Sequence, residues 1–193
     1  MHANNEIGVI HPIEEIGNFC KDNNILFHTD AAQSLGKILI DVEKFKIDIL
    51  SISSHKIYGP KGVGALYVRN KSPRIQLKPL FDGGGHERGL RSGTLPVPLI
   101  VGFGKACEIA ELGMEKESNR ILKLKNLFVD KIFESIDGVN INGSIEQRLP
   151  GNINLSFEGI IGNNLLNNLS TIAVSSGSAC TSSSPEPSYV LRA

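Results

Sequence analysis

The chain has 193 residues, enough for one large domain or two small ones with a true core, and its twenty basic residues balance twenty acidic ones. That balance sets up no net field drawing it to nucleic acid or an anionic membrane, and no apolar run is long enough to span a bilayer. Cys20, Cys107 and Cys180 are too far apart for a disulfide framework or metal-ligand spacing, and Met1–Glu6 lacks the basic head and apolar stretch of a signal peptide. The expected compartment is reducing and cytoplasmic, with no nucleic-acid or membrane partner.

The first half alternates helical and strand signals. Pro12 suits a helix start, and Ile13, Ile16 and Cys20 follow at helical spacing on one face. Short apolar strands are expected over residues 25–28, ending at Asp30, over 47–52, ending at Ser53, and over 64–68. Helices alternating with buried strands predict an α/β layer with a mainly parallel sheet. Beyond Pro98, apolar positions from Ile100 to Met114 and from Ile121 to Ile132 trace a stripe that shifts near Gly113. This predicts one long amphipathic helix or a broken pair. Further strands are expected at 139–142, 152–156 and 172–174, a helix near 163–169, and a helix opening at Tyr189. The reading is two units hinged near residues 96–105. Cys20 and Cys107 fall on the apolar stripes, which predicts buried structural thiols.

Three segments carry chemistry. Ser175–Ser184 places Cys180 among small hydroxylated residues, which predicts an exposed, mobile loop carrying a thiol. His28-Thr29-Asp30-Ala31-Ala32-Gln33 and Ser53-Ser54-His55-Lys56 each follow a strand, where open α/β sheets place ligands. An acid and a lysine at neighbouring strand ends suit pyridoxal 5′-phosphate. The amine of Lys56 forms a Schiff base with the cofactor aldehyde, and the carboxylate of Asp30 pairs with the protonated pyridine nitrogen. Gln33 can donate to the phenolic oxygen, and Ser53 and His55 to the phosphate. Asp30 alone also reads as an ordinary helix cap. The segment 83–94 alone reads as a flexible glycine-rich loop with solvated charges.

Together these segments resemble the cysteine desulfurases of the pyridoxal-phosphate fold-type I, class V aminotransferase group, of the iron–sulfur-cluster and nitrogen-fixation type. The resemblance rests on Met1–Gly8, His28–Gln33, Ser53–Gly62, Gly83–Thr94 and Ser175–Ala193, in the family's order across the whole chain. It implies that residues 1–98 form the C-terminal part of the cofactor-binding large domain, and residues 99–193 part of a smaller α/β domain with the catalytic cysteine loop. It also implies that Lys56 is the cofactor lysine, Asp30 the pyridinium partner and Gln33 the phenolate partner, with Ser53 and His55 on the phosphate. Asn5 lies near cofactor and substrate, and Thr94 reaches the phosphate in the other subunit of a homodimer. Cys180 is the nucleophile that takes sulfur from L-cysteine, leaving L-alanine, and hands it to an iron–sulfur scaffold protein or another acceptor. No resident metal is implied; Cys180 would meet an iron–sulfur cluster only in passing.

The resemblance also implies absences. A Gly/Thr phosphate-binding turn and a ring-stacking histidine ordinarily precede the matched region, and a carboxylate-clamping arginine follows it. The chain is therefore expected to be an incomplete and inactive fragment. A non-enzymatic remnant or binding module stays open beside the enzyme reading. Within enzymes, a selenocysteine lyase or a true aminotransferase stays open too, although transamination needs no thiol at Cys180.

Overall fold

A computed structural model of the chain describes residues 1–176 and 188–193. It divides into two compact units, Met1–His2 with Pro12–Met114, and Ala3–His11 with Glu115–Ala193.

In the first unit, α1 (Ile13–Asp22) opens directly after Pro12. Glu14 and Glu15 lie in its first turn and Lys21 in its last, which complements the helix dipole. It buries Ile13 and Gly17, while Cys20 packs half-buried against the core. Strands β1 (His28–Asp30), β2 (Ile49–Ser53) and β3 (Gly64–Val68) form one sheet in that order. β1 and β2 are parallel, with Thr29 opposite Leu50 and Asp30 opposite Ser51. β3 returns antiparallel to β2, Ser53 facing Gly64. Ile13, Phe27, Ala31, Ile47 and Leu50 make the core beneath this sheet. Asp48 ties the far end of the strands together. Its carboxylate accepts from Phe27 N at 2.9 Å and from Arg69 Nε at 2.5 Å.

One expectation shifts here, and one open choice closes. The apolar run at 25–27 is not strand, and Ile25 and Leu26 are more than half exposed. Only Phe27 turns inward, and the ladder begins at His28 because that is where β2 supplies partners. The stripe beyond Pro98 is one unbroken helix, α2 (Val97–Ser135), since glycine lowers helix stability without ending it.

The second unit contains the rest of α2 and the antiparallel pair β4 (Val139–Ile141) and β5 (Leu155–Phe157). The turn at residues 3–11 docks onto the segment after β4. Ile10 N donates to Gln147 O at 2.8 Å, and Leu149 N to Gly8 O at 2.9 Å. Arg148 is buried there, its guanidinium donating to the carbonyls of Ser144 and Asn142 and to Asn152 Oδ1. Gly8 has φ +68° and lies against the Asn152 side chain, so a side chain at Gly8 would be both strained and blocked. Helix α3 (Gly162–Asn168) falls where expected, but residues 172–174 form no strand. Ile172 and Val174 are about half exposed and no neighbouring strand pairs with them among the described residues. Helix α4 (Tyr189–Arg192) is capped by Ser188, whose Oγ accepts from Val190 N at 3.1 Å. No helix among the described residues is long and apolar enough to cross a membrane.

Candidate active site

Because β1 and β2 are parallel and in register, their carboxyl ends deliver side chains to the same edge of the first unit. Asp30 ends β1, exposed, and its Oδ1 accepts from Ala32 N at 2.8 Å. Buried Ala31 anchors the following turn by donating to Ser51 O at 2.9 Å. Gln33 sits half-buried in that turn. One strand over, Ser51 Oγ and His28 Nε2 share a hydrogen bond of 3.3 Å across the ladder.

β2 runs from Ser53 into a single 3-10 turn, Ser54–Ile57. Ser54 and Ile57 point inward and are buried, which leaves His55 and Lys56 exposed. This alternation is what a short turn with two inward anchors imposes. Ser53 Oγ and His55 Nδ1 are 2.9 Å apart and hydrogen-bonded, so hydroxyl and imidazole are presented as a pair. The turn closes at Tyr58, a non-glycine residue at φ 63°, and Gly59 N donates back to Ser54 O at 3.1 Å. A Cβ on Gly59 would fall 2.3 Å from Ser54 Oγ, so glycine is required for this closure. Below the turn, the hydroxyls of Thr29 and Ser54 are buried and have no hydrogen-bond partner among the described residues. Orphaned hydroxyls beside an exposed polar edge belong to functional ground more than to an optimised core.

The structure therefore brings Asp30, Gln33, Ser53, His55 and Lys56 to one sheet edge. Thr94 lies on the exposed segment following a short 3-10 turn at Glu87–Gly89. That segment is less loose than a glycine-rich run suggests. His86 Nδ1 accepts from Gly93 N at 3.3 Å, Ser92 Oγ accepts from Gly85 N at 3.3 Å, and the Arg91 guanidinium stacks 5.7 Å from the Phe81 ring centre. Asn5 belongs to the second unit. Asn4 Oδ1 accepts from Glu6 N and Ile7 N at 2.8 and 3.0 Å, fixing a tight turn with Asn5 exposed at its tip. Cys180 lies outside the described residues. Cys107, on α2, is half-buried, and burial pushes its thiol pKa up, which disfavours the thiolate. No group of three or more metal-ligating side chains is found among the described residues.

The sequence pattern did not single out Lys37. It is half-buried beside this edge, and burial, followed by the nearby charge of Lys56, lowers its ammonium pKa. Only the packing of two turns reveals it, because nothing in its local sequence differs from an ordinary turn lysine.

The whole chain, residues 1–193, matches the aminotransferase class-V family. The chain belongs to the class-V aminotransferase family. It is 58% identical over 193 residues to a cysteine desulfurase IscS of Vibrio vulnificus strain YJ016. It is also 58% identical to a mitochondrial cysteine desulfurase of Arabidopsis thaliana. These alignments cover 100% of this chain but 47% and 42% of the relatives, so the chain spans about half their length. A solved NifS-like protein superposes with a TM-score of 0.84 at 42% identity, covering 91% of this chain and 48% of that one. A structure of SspA in complex with cysteine gives 0.79 at 42% identity, covering 99% and 52%.

The fold is that of the pyridoxal-phosphate fold-type I enzymes, whose class-V members use pyridoxal 5′-phosphate. The residues present fit that group. The strand-end edge offers a carboxylate for a ring nitrogen, a hydroxyl–imidazole pair for a phosphate, and an exposed amine for an aldehyde.

Proposed function

We propose that this chain is the part of a cysteine desulfurase that holds the cofactor lysine and the sulfur-carrying thiol. Residues 1–98 would belong to the large domain of the complete enzyme, and residues 99–193 to its small domain. The observation that carries the reading is the meeting of Asp30 with Ser53, His55 and Lys56 at the carboxyl ends of two paired parallel strands.

When bound, pyridoxal phosphate supplies an aldehyde for the amine and a ring that accepts the electron pair left by the substrate α-proton. The Asp30 carboxylate keeps the ring nitrogen protonated by accepting its N–H. Gln33 donates to the phenolic oxygen, and Ser53 and His55 donate to the phosphate. Lys56 would hold the aldehyde carbon, and its Nζ would be the group placed to take the substrate α-proton. Asn5 orients the substrate, and Thr94 reaches the phosphate of a second subunit in a homodimer. The Cys180 thiolate then takes the substrate sulfur, so that a protein thiol and L-cysteine become a protein persulfide and L-alanine. The persulfide is passed to a scaffold protein building iron–sulfur clusters in the cytoplasm.

The test is a single turnover in a full-length enzyme carrying this segment. L-cysteine should yield L-alanine and add one sulfur atom to the Cys180 peptide. Cys180→Ser should retain cofactor and substrate binding and form no persulfide. Extra sulfur on the Cys107 or Cys20 peptide, with none on that of Cys180, would overturn the assignment.

A further inference from the structure

The turn at residues 3–11 holds one side chain out and fixes the backbone around it. Asn5 is exposed at its tip, while Asn4 is half-buried and Glu6 buried. The backbone N–H groups on either side are committed within the turn. Asn4 N donates to Val9 O at 2.8 Å, Gly8 N to Asn4 O at 3.1 Å, and Glu6 N and Ile7 N to Asn4 Oδ1. The Glu6 carbonyl, one residue beyond Asn5, is held from outside the turn. Its oxygen accepts from Asn152 Nδ2 at 3.2 Å and from Asn154 Nδ2 at 3.4 Å.

The direction of both amides is set at their other ends. A guanidinium can only donate, and Arg148 Nη1 donates to Asn152 Oδ1 at 3.3 Å, which turns the Asn152 nitrogen towards Glu6. Asn142 Nδ2 donates to Asn154 Oδ1 and to Ser156 Oγ, each at 2.7 Å, which orients Asn154 in the same sense. Arg148 is itself buried and tied to the carbonyls of Ser144 and Asn142. Gly8 closes over the Asn152 side chain, where a Cβ would fall 2.3 Å from Oδ1. Two oriented amides thus occupy both lone pairs of a single carbonyl, which is more fixing than a turn free to bond water requires.

We propose that Asn152 and Asn154 are positioning residues, which set the direction in which Asn5 presents its side-chain amide to the substrate. Asn5, Asn152 and Asn154 all belong to the second unit, so the device folds as one piece. Ordering the turn when the chain folds leaves little to order when substrate binds. The inference rests on the reading that Asn5 orients the substrate.

The experiment measures kcat/KM for L-cysteine in a full-length enzyme carrying this segment, saturated with pyridoxal 5′-phosphate. The variants are Asn5→Ala, Asn152→Asp and the two combined. Aspartate keeps an oxygen for Arg148 and lacks the N–H that Glu6 O accepts, so it removes the positioning bond and retains the anchor. Asn152→Asp should lower kcat/KM about three- to ten-fold, the worth of one hydrogen bond. In the Asn5→Ala background the same change should act by less than about two-fold, since no amide remains to be positioned. A merely structural role would instead give effects that multiply. Asn154→Asp, which keeps an oxygen for Asn142, makes the same test if Asn152→Asp yields no soluble enzyme. Effects that multiply, a single aspartate variant within about two-fold of the unsubstituted enzyme, or no soluble enzyme from either variant overturns this inference alone. An Asn5→Ala enzyme with unchanged kcat/KM overturns the reading of Asn5 and the inference together.

Discussion

Asp30 reads in the sequence either as a turn cap or as the partner of a pyridine nitrogen; the structure shows the cap, and the proposed role calls on the same carboxylate. Oδ1 caps the turn through Ala32 N, while the group stays exposed at the strand end. The two duties need different things. Capping needs only an oxygen acceptor, whereas holding a proton on a ring nitrogen needs a negative charge. Asp30→Asn in a full-length enzyme should therefore keep the thermal midpoint within a degree or so, since surface changes that spare a cap are nearly neutral (about ±0.5 kcal/mol). It should also slow α-proton removal by several orders of magnitude. Near-normal turnover would assign the charge to another acid. The spacing of acid, hydroxyl, imidazole and lysine along the chain was enough to place these residues at one edge, because strand ends in parallel sheets converge. The orphaned Thr29 and Ser54 hydroxyls and the position of Lys37 were not legible. They depend on which turn packs on which, and no periodicity encodes that.

At the scale of elements, legibility follows pairing. α1 and β3 match their patterns because both periodicity and partners agree. The runs at 25–27 and 172–174 are as apolar as real strands yet are not strands, since apolar character without a ladder partner does not make a strand. Packing shows where substitution should tell. Gly17 on α1 is buried against the chain at Phe45, and a Cβ there would lie 1.9 Å from the Phe45 carbonyl oxygen, a backbone atom with little freedom to yield. Gly17→Ala should therefore destabilise the first unit by about 1–3 kcal/mol, despite the better helix propensity of alanine. A denaturant midpoint equal to or above that of the unsubstituted chain would show that α1 can shift outward without penalty. In the second unit, Lys125 on α2 has its ammonium pKa lowered first by burial and then by the buried Arg148 guanidinium. A lysine whose folded pKa lies below its unfolded value weakens the fold wherever both states are protonated, and stops doing so above the unfolded value. Lys125→Met should thus raise the urea midpoint at neutral pH, and the gain should shrink as pH climbs towards the ordinary lysine value of 10.5. A gain that grows with pH would contradict the assignment.

Across the molecule as a whole, apolar surface outweighs what the small cores need. In the first unit, Leu39, Leu80 and Phe81 are more than three-fifths exposed. On α2, Val97, Val101, Ile109 and Leu112 are all more than half exposed. At helical spacing these four fall on one side of the helix, interrupted only by the ion pair of Lys105 with Glu108 at 2.9 Å. In the second unit, Leu124, Leu127, Ile145 and Ile161 are likewise more than half exposed. Isolated exposed apolar residues are ordinary, but an apolar stripe on a helix is a surface that gains free energy by leaving water, at about 25 cal/mol per Å². The charged residues do little to prevent this, because the net charge is zero and no long-range repulsion keeps copies apart. Expressed alone, the 193-residue chain should associate with itself in a concentration-dependent way and bind a hydrophobic dye such as ANS. Replacing Val101 and Leu112 together by glutamate should reduce both signals without changing the helical circular-dichroism spectrum, since neither side chain is buried. Sedimentation velocity of both proteins over a range of concentrations decides the matter. A chain that sediments as a monomer throughout and leaves the dye dark would show that these residues are covered in solution.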